Sequence, residues 1–427
     1  MLDNNIDRIM TAMQIGELIE NLDQIKLAPE IYKYDSFNDE PHFYGYKTYL
    51  ALSKKMTDGI MQRGIAGVGT SFLSPEDALS KSIYEAMERL NNFTYKKADL
   101  KYSSYDKNQD KFIDPVAFLC DVSTREKRLG WVEGVELLSG KKKFFPAQLT
   151  YLNYTLQKNE TYLSYPHNSN GSAGGSTPTQ ATLHGIYELV ERDCLITAYL
   201  NKISLPRVDL VSLHDKKIDE IMLLCQKYRL DFFVLDMTND LGIPSYISFM
   251  NDHFGGPPIA FGCKSSLRSR DAIFGAILES LMIRMSIKRM IREGTIFGEH
   301  AKSGDLFADR ARYWLFPGMA SKLDFWTKNS GFAKSRDNFK GNLDHELEEV
   351  ARRLTSRGFN IYVVDCTIPE FRKLNFFVHK TFIPGTQTLY LLESERSSAM
   401  DLGRLKQVAS FFGKKFVKPN SVPHPFL

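Results

Sequence analysis

The sequence predicts an α+β protein, and three observations carry that expectation. The stretches "KIDEIMLLCQKYRLDFFVLDMT" and "LDHELEEVARRLTSRGFNIYVVDCT" each run an amphipathic helix into an apolar, β-branched and aromatic strand that ends in Asp-x-Thr. A heptapeptide, "IYEAMER" from Ile83 to Arg89, returns as "IYELVER" from Ile186 to Arg192. Between about residues 60 and 410 no long linker, low-complexity tract or charge block intervenes.

Composition narrows the function classes. The 427 residues are 43% hydrophobic and 25% charged, ordinary for a soluble globular chain. Fifty-five basic against 51 acidic residues leave a net charge of only +4, with no dense basic stripe, so a nucleic-acid partner is not expected. No apolar run approaches membrane-spanning length and the start has no signal-peptide pattern. The expected location is the cytoplasm, with no membrane contact. The five cysteines are widely spaced, lack a Cys-x-x-Cys pair and sit among apolar residues, which reads as buried thiols.

The elements follow in order. Residues 1–60 open on an amphipathic stretch and carry no assignable motif. Residues 61–410 read as one composite domain, and 411–427 as a proline-containing tail. Within the domain, Ser74-Pro75, Ala78, Ile83-Tyr84-Glu85 and Glu88-Arg89 recur without a gap as Thr177-Pro178, Ala181, Ile186-Tyr187-Glu188 and Glu191-Arg192, 103 residues later. Each unit begins with a glycine-bearing segment read as a loop, then an N-cap hydroxyl, a proline at the first helical position and an acid or amide at the third. A weaker third copy keeps Ala272, Ile277 and Glu279, has Met282 in place of the second acid, and carries its arginine one place late, at Arg284. "SYDKNQDKFIDP" imitates a calcium loop but lacks the glycine after Asp110 and the acid at the twelfth position, and reads as a polar loop. At the two Asp-x-Thr strand ends, Asp236 and Asp365 are expected to cap the following turns.

On a helix, Glu85, Glu88 and Arg89 share a face, as do Glu188, Glu191 and Arg192. An exposed ion-paired helix is the plain explanation of one such copy. The second helix, however, is apolar over most of its circumference, and a buried carboxylate is costly unless it is paired or binds a cation. Clustered carboxylates suit magnesium, which usually bridges to substrate phosphates, and arginines take phosphate oxygens bidentately. Glycine-rich P-loop and dinucleotide fingerprints are absent.

The segments "GVGTSFLSPEDALSKSIYEAMERL", "NSNGSAGGSTPTQATLHGIYELVERDCL", "SRDAIFGAILESLMIR" and "VVDCTIPEF" with "VHKTFIPG" resemble, in order and spacing, the successive blocks of the YcaO-domain family over roughly Ala66 to Gly385. The resemblance implies a fold of helices and sheets peculiar to that family, with loop–helix repeats around an ATP site. It implies ATP and Mg2+, with Glu85, Glu88, Glu188, Glu191 and Glu279 as metal ligands. Lys81, Glu85, Arg89, Ser169, Asn170, Glu188, Arg192 and Arg284 stand as nucleotide-binding residues. Many members have serine where Lys81 stands and Gly-Lys-Gly where Gly67-Val68-Gly69 stands.

The tail "KPNSVPHPFL" is too rich in proline for a helix. Azoline-forming members of the family end in alternating prolines, which Pro423-His424-Pro425 resembles, although Leu427 stands where the final proline would. The resemblance therefore implies a cyclodehydratase that phosphorylates a backbone amide oxygen of a ribosomally made precursor peptide and converts Cys, Ser or Thr to azolines. Pro423 and Pro425 would position the terminal carboxylate of Leu427 to orient or deprotonate the attacking side chain. A leader-binding partner protein is expected in trans, and a homo-oligomer is left open. Thioamide or amidine formation, or a silent nucleotide-binding scaffold, are the alternatives.

Overall fold

The computed structural model describes residues 10–50 apart from 35 and 39, 65–163, 168–252, 260–297, 306–328 apart from 317, 331–333, 336 and 338–426. In chain order the elements run α1 (Ala12–Gln24), β1 (Pro29–Tyr34), β2 (Tyr44–Leu50), β3 (Ile65–Ser71), α2 (Pro75–Asn92), β4 (Lys101–Ser103), β5 (Leu129–Glu136), β6 (Lys142–Pro146), α3 (Ala147–Thr150) and β7 (Ser172–Gly175). They continue with α4 (Pro178–Leu200), α5 (Lys216–Lys227), β8 (Leu230–Asp236), β9 (Ser245–Asp252), β10 (Ala260–Ser265), α6 (Ser269–Arg292), α7 (Leu306–Leu315) and α8 (Asp324–Thr327). The run closes with α9 (Leu343–Thr355), β11 (Tyr362–Asp365), α10 (Pro369–Lys373), β12 (Phe377–Phe382), α11 (Arg396–Ala399) and α12 (Leu402–Phe411).

The chain divides into two compact units, residues 1–186, 342–347 and 360–382 in one and 187–341, 348–359 and 383–427 in the other. Neither is a continuous stretch, which is why no linker is visible in the sequence. The first unit holds a three-stranded sheet, β1-β2-β3, and a second sheet ordered β4-β5-β11-β12-β7, with β6 paired to β5. The second holds β10-β9-β8. Every strand pairing is antiparallel.

Both helix–strand pairs foreseen from hydrophobic period appear, as α5 with β8 and α9 with β11. Asp236 and Asp365 cap the turns after those strands, accepting from the backbone N–H of Thr238 and Thr367, each at 2.9 Å. All five cysteines are buried and unbridged.

The segments read as glycine loops require correction. Ile65–Ser71 and Ser172–Gly175 are strands, and their glycines make room for helices. A Cβ on Gly67 would collide with the Ser82 carbonyl and the Ala86 amide of α2, and one on Gly69 with the Ala78 carbonyl. On Gly175 it would stand 2.6 Å from the Ala181 amide of α4. The faint third copy shares this geometry: Gly262 of β10 lies against Ser280 and Ala276 of α6. Three strand-then-helix units thus pack backbone to backbone, and β1-β2-β3-α2 has the same element order as β8-β9-β10-α6.

The helix starts follow the predicted chemistry. Ser74 accepts from Asp77 N–H (3.1 Å) with Pro75 as the first helical residue, and Thr177 accepts from Gln180 N–H (3.1 Å). Such caps are worth about 1 kcal/mol each.

Candidate functional site

In the first unit, packing of α2 on β3 sets the acidic face. Glu85 accepts from Val68 N–H (2.5 Å) and pairs with Arg89 (2.6 Å), while Arg89 also donates to the Ala66 carbonyl (2.7 Å). Burial raises the Glu85 pKa against the lowering pull of Arg89 and Val68 N–H. One turn further on, Glu88 accepts from Gly174 N–H of β7 at 2.9 Å. Lys81 is half-exposed and ion-paired to Asp77 at 2.7 Å. Ser169 is exposed and Asn170 buried, the latter's carbonyl accepting from Lys380 Nζ at 2.8 Å.

In the second unit the cluster is more deeply enclosed. Glu191 is 6% exposed and pairs with Arg192 Nη1 at 2.9 Å, with Glu188 3.6 Å from Nη2. Glu279 of α6 accepts from Cys263 N–H of β10 at 2.6 Å, as Glu85 does from β3. Burial raises the pKa of both Glu191 and Glu279, and Arg192 pulls both down. Among the described residues the Arg192 Nε has no hydrogen-bond partner although it is buried. The salt-bridged helix therefore exists, in a dry setting where ion pairing alone leaves charge unresolved.

The third arginine falls elsewhere. Five residues turn Arg284 about 140° around α6 from Glu279. It is buried, where its charge opposes the upward shift that burial gives the Cys225 thiol. The late register of that arginine in the third copy has this physical consequence.

The tail is seated in the second unit instead of trailing as a loose end. Tyr199 Oη donates to the Val422 and Pro423 carbonyls (3.2 and 2.9 Å), and Asn420 N–H to the Leu200 carbonyl (2.7 Å). His424 is 1% exposed; its Nε2 lies 2.7 Å from the Tyr390 carbonyl and its Nδ1 2.9 Å from Arg310 Nη1. Pro425 is buried, and the Phe426 ring lies under the Arg192 guanidinium, 4.3 Å from its centroid. The terminal carboxylate of Leu427 lies outside the described residues.

Two participants went unread in the sequence. Lys264 of β10 is close enough for its charge to lower the pKa of Glu191 and Glu279. Asp193, next to Arg192, is fully buried and accepts from Gln387 N–H (2.6 Å), Asn239 Nδ2 (2.7 Å) and Arg404 Nε and Nη2 (2.9 and 2.7 Å). Arg404, 2% exposed, reaches on to Asp240 at 2.7 Å. The signal was present: Asp193 is an acid in the same apolar helix, by the argument that singled out Glu191.

Among the described residues no group of three or more His, Cys, Asp or Glu side chains is arranged to hold a metal ion. Magnesium asks less of a protein, commonly one or two carboxylates completed by water and substrate phosphate. The buried Glu191–Glu279 pair, with an orphaned Arg192 N–H beside it, fits a hard cation with an anionic partner. Among the described residues no helix is long and apolar enough to cross a membrane.

The strand–helix repeats carry paired acids and arginines, residue types that suit a hard cation and phosphate oxygens. Residues 69–387 match the family model described as YcaO cyclodehydratase, ATP- and Mg2+-binding, and the chain belongs to that YcaO family. It is similar to a heterocyclase solved in complex with substrate and cofactor, at 19% identity and a TM-score of 0.73, covering 95% of this chain and 57% of that one. It is also similar to YcaO from Methanopyrus kandleri bound with AMPPCP and Mg2+, at 16% identity and a TM-score of 0.64, covering 91% and 93%. An uncharacterized protein of Rhizobium leguminosarum bv. trifolii, named for its position 3′ of tfuA, is 32% identical over 139 residues, 32% of each chain. The chain thus spans under two thirds of that heterocyclase and about a third of that relative. These likenesses agree with the α+β, YcaO-type fold expected from the sequence.

Proposed function

We propose that the chain is an ATP-dependent cyclodehydratase that phosphorylates a backbone amide oxygen of a ribosomally made precursor peptide, turning Cys, Ser or Thr into thiazoline or oxazoline. The observation that carries this reading is the buried Glu191–Glu279–Arg192 cluster, in a chain of an ATP- and Mg2+-binding family, with the tail tip packed on the arginine.

In this reading Glu85, Glu88, Glu188, Glu191 and Glu279 are the groups that hold Mg2+. The ion, when bound, supplies charge neutralisation on the transferring phosphoryl group. Lys81, Glu85, Arg89, Ser169, Asn170, Glu188, Arg192 and Arg284 bind the nucleotide, Arg192 offering phosphate the N–H that has no partner among the described residues. Glu191 holds the other edge of that guanidinium.

The chemistry balances without a covalent enzyme intermediate. The peptide thiol or hydroxyl loses its proton while its sulfur or oxygen bonds to the preceding carbonyl carbon, leaving an oxyanion. That oxygen bonds to the γ-phosphorus as the bond to ADP breaks. The amide nitrogen then gives up its proton, C=N forms, and the carbon–oxygen bond breaks to release phosphate. Pro423 and Pro425 hold the chain end, and the Leu427 carboxylate orients or deprotonates the attacking side chain. Leader recognition is assigned to a partner supplied in trans.

Mass spectrometry of the precursor peptide after incubation with this protein, its partner and Mg-ATP tests the reading. Loss of one water per modified residue is expected. Exchange of oxygen for sulfur would instead establish thioamide formation, and an unmodified peptide with no ATP consumed would remove the enzymatic reading.

A further inference from the structure

We propose that Phe426 is a positioning residue for Arg192, so that seating of the tail and binding of the nucleotide are one linked equilibrium. This rests on the nucleotide role given to Arg192 above. Four observations carry it. The Arg192 Cζ lies over the Phe426 ring, 4.3 Å from its centroid, within the range where the ring quadrupole attracts the cation. Phe426 is 7% exposed, so the contact is made away from water, where it is strongest. Its backbone is fixed independently: the Phe426 carbonyl accepts from Arg310 Nη1 at 3.1 Å, and its ring stands 6.3 Å from that of Phe261 on β10. Finally, Arg192 is tied through Nη1 to Glu191 and Cys263 Sγ, with Glu188 3.6 Å from Nη2, while its Nε has no partner among the described residues.

A guanidinium held at its two Nη atoms still tilts about the line between them. Contact with its face removes that freedom and leaves the Nε–H edge for an incoming oxygen. Preorganisation of this kind lowers the entropy lost on binding. Linkage makes the effect reciprocal: whatever occupies the arginine edge favours the seated tail by the same factor. Asn420, Val422, Pro423 and His424 anchor the tail at other points, so Phe426 is not required merely to keep the chain end in place.

The test measures binding of AMPPCP with Mg2+ by calorimetry, and KM for ATP separately from kcat, in the full chain. Phe426→Leu keeps an apolar plug without the quadrupole, and Phe426→Tyr keeps both. Phe426→Leu is expected to weaken analogue binding and raise KM by about tenfold, with Phe426→Tyr within about twofold of the natural chain. In an Arg192→Lys background, Phe426→Leu should cost clearly less, because the planar partner is gone. Equal weakening by the Tyr and Leu variants, or by Leu in both backgrounds, would reduce Phe426 to a tail anchor and overturn the proposal. If the natural chain binds AMPPCP and Phe426→Leu binds it equally well, this inference fails while the nucleotide reading stands. If the natural chain does not bind it at all, the nucleotide reading fails first.

Discussion

At Glu191 burial and charge conflict: a carboxylate 6% exposed, beside a second buried acid, with Arg192 and Lys264 to answer both. Glu191→Gln removes the conflict and the ligand together. ATP turnover should vanish in Glu191→Gln and in Glu88→Gln, with unfolding free energy by urea within about 1 kcal/mol of the natural chain. Normal turnover in both would return the motif to a salt-bridge role. Arg192→Lys should raise KM for ATP, since the planar fork is lost while the charge stays. The acids were legible because repetition within an apolar helix is hard to explain otherwise. The late register of Arg284 matters because a shift of one residue, small on paper, is about 100° on a helix.

At the scale of elements, the glycines of the repeats were legible as special and misread as loops. Their role depends on a helix crossing at backbone distance, which no local pattern reports. Gly67→Ala and Gly262→Ala should each destabilise by about 1–3 kcal/mol in urea unfolding, because helix backbone must move. Gly16→Ala in α1, where the space beyond Cα is open, should stabilise by up to about 1 kcal/mol. The tail gives a pH prediction. Burial, with Arg310 adding to it, lowers the His424 pKa from 6.5 to about 3. The unfolded imidazole takes up its proton near pH 6.5 and the folded one does not, so the unfolded state binds more protons across that window. Stability contributed at neutral pH is lost as pH falls from 6.5 toward 3, and His424→Gln should flatten that part of the melting-temperature profile. Peptide chemistry and ATP binding meet at the tail. The Phe426–Arg192 contact joins them, so residues appended after Leu427 should slow ring formation and weaken ATP binding as well.

For the molecule as a whole, the chain passes repeatedly between its two units, and the boundary falls within α4, between Ile186 and Tyr187. The second copy of the heptapeptide, Ile186 to Arg192, straddles that boundary, whereas the first, Ile83 to Arg89, lies wholly in the first unit. Within the second unit, Asp193 and Arg404 tie α4 to α12 near the end of the chain. Asp193→Ala should cost about 3–5 kcal/mol, as it leaves Asp240 alone to pair the buried Arg404 and strips Gln387 N–H and Asn239 Nδ2 of their acceptor. The central claim, that a peptide oxygen is the nucleophile toward ATP, is tested most directly with a precursor peptide carrying oxygen-18 at the amide preceding its modified residue. Incubated with this protein, its partner and Mg-ATP, each ring formed should deliver one oxygen-18 to the released phosphate. Rings that form while the phosphate stays unlabelled would contradict the account.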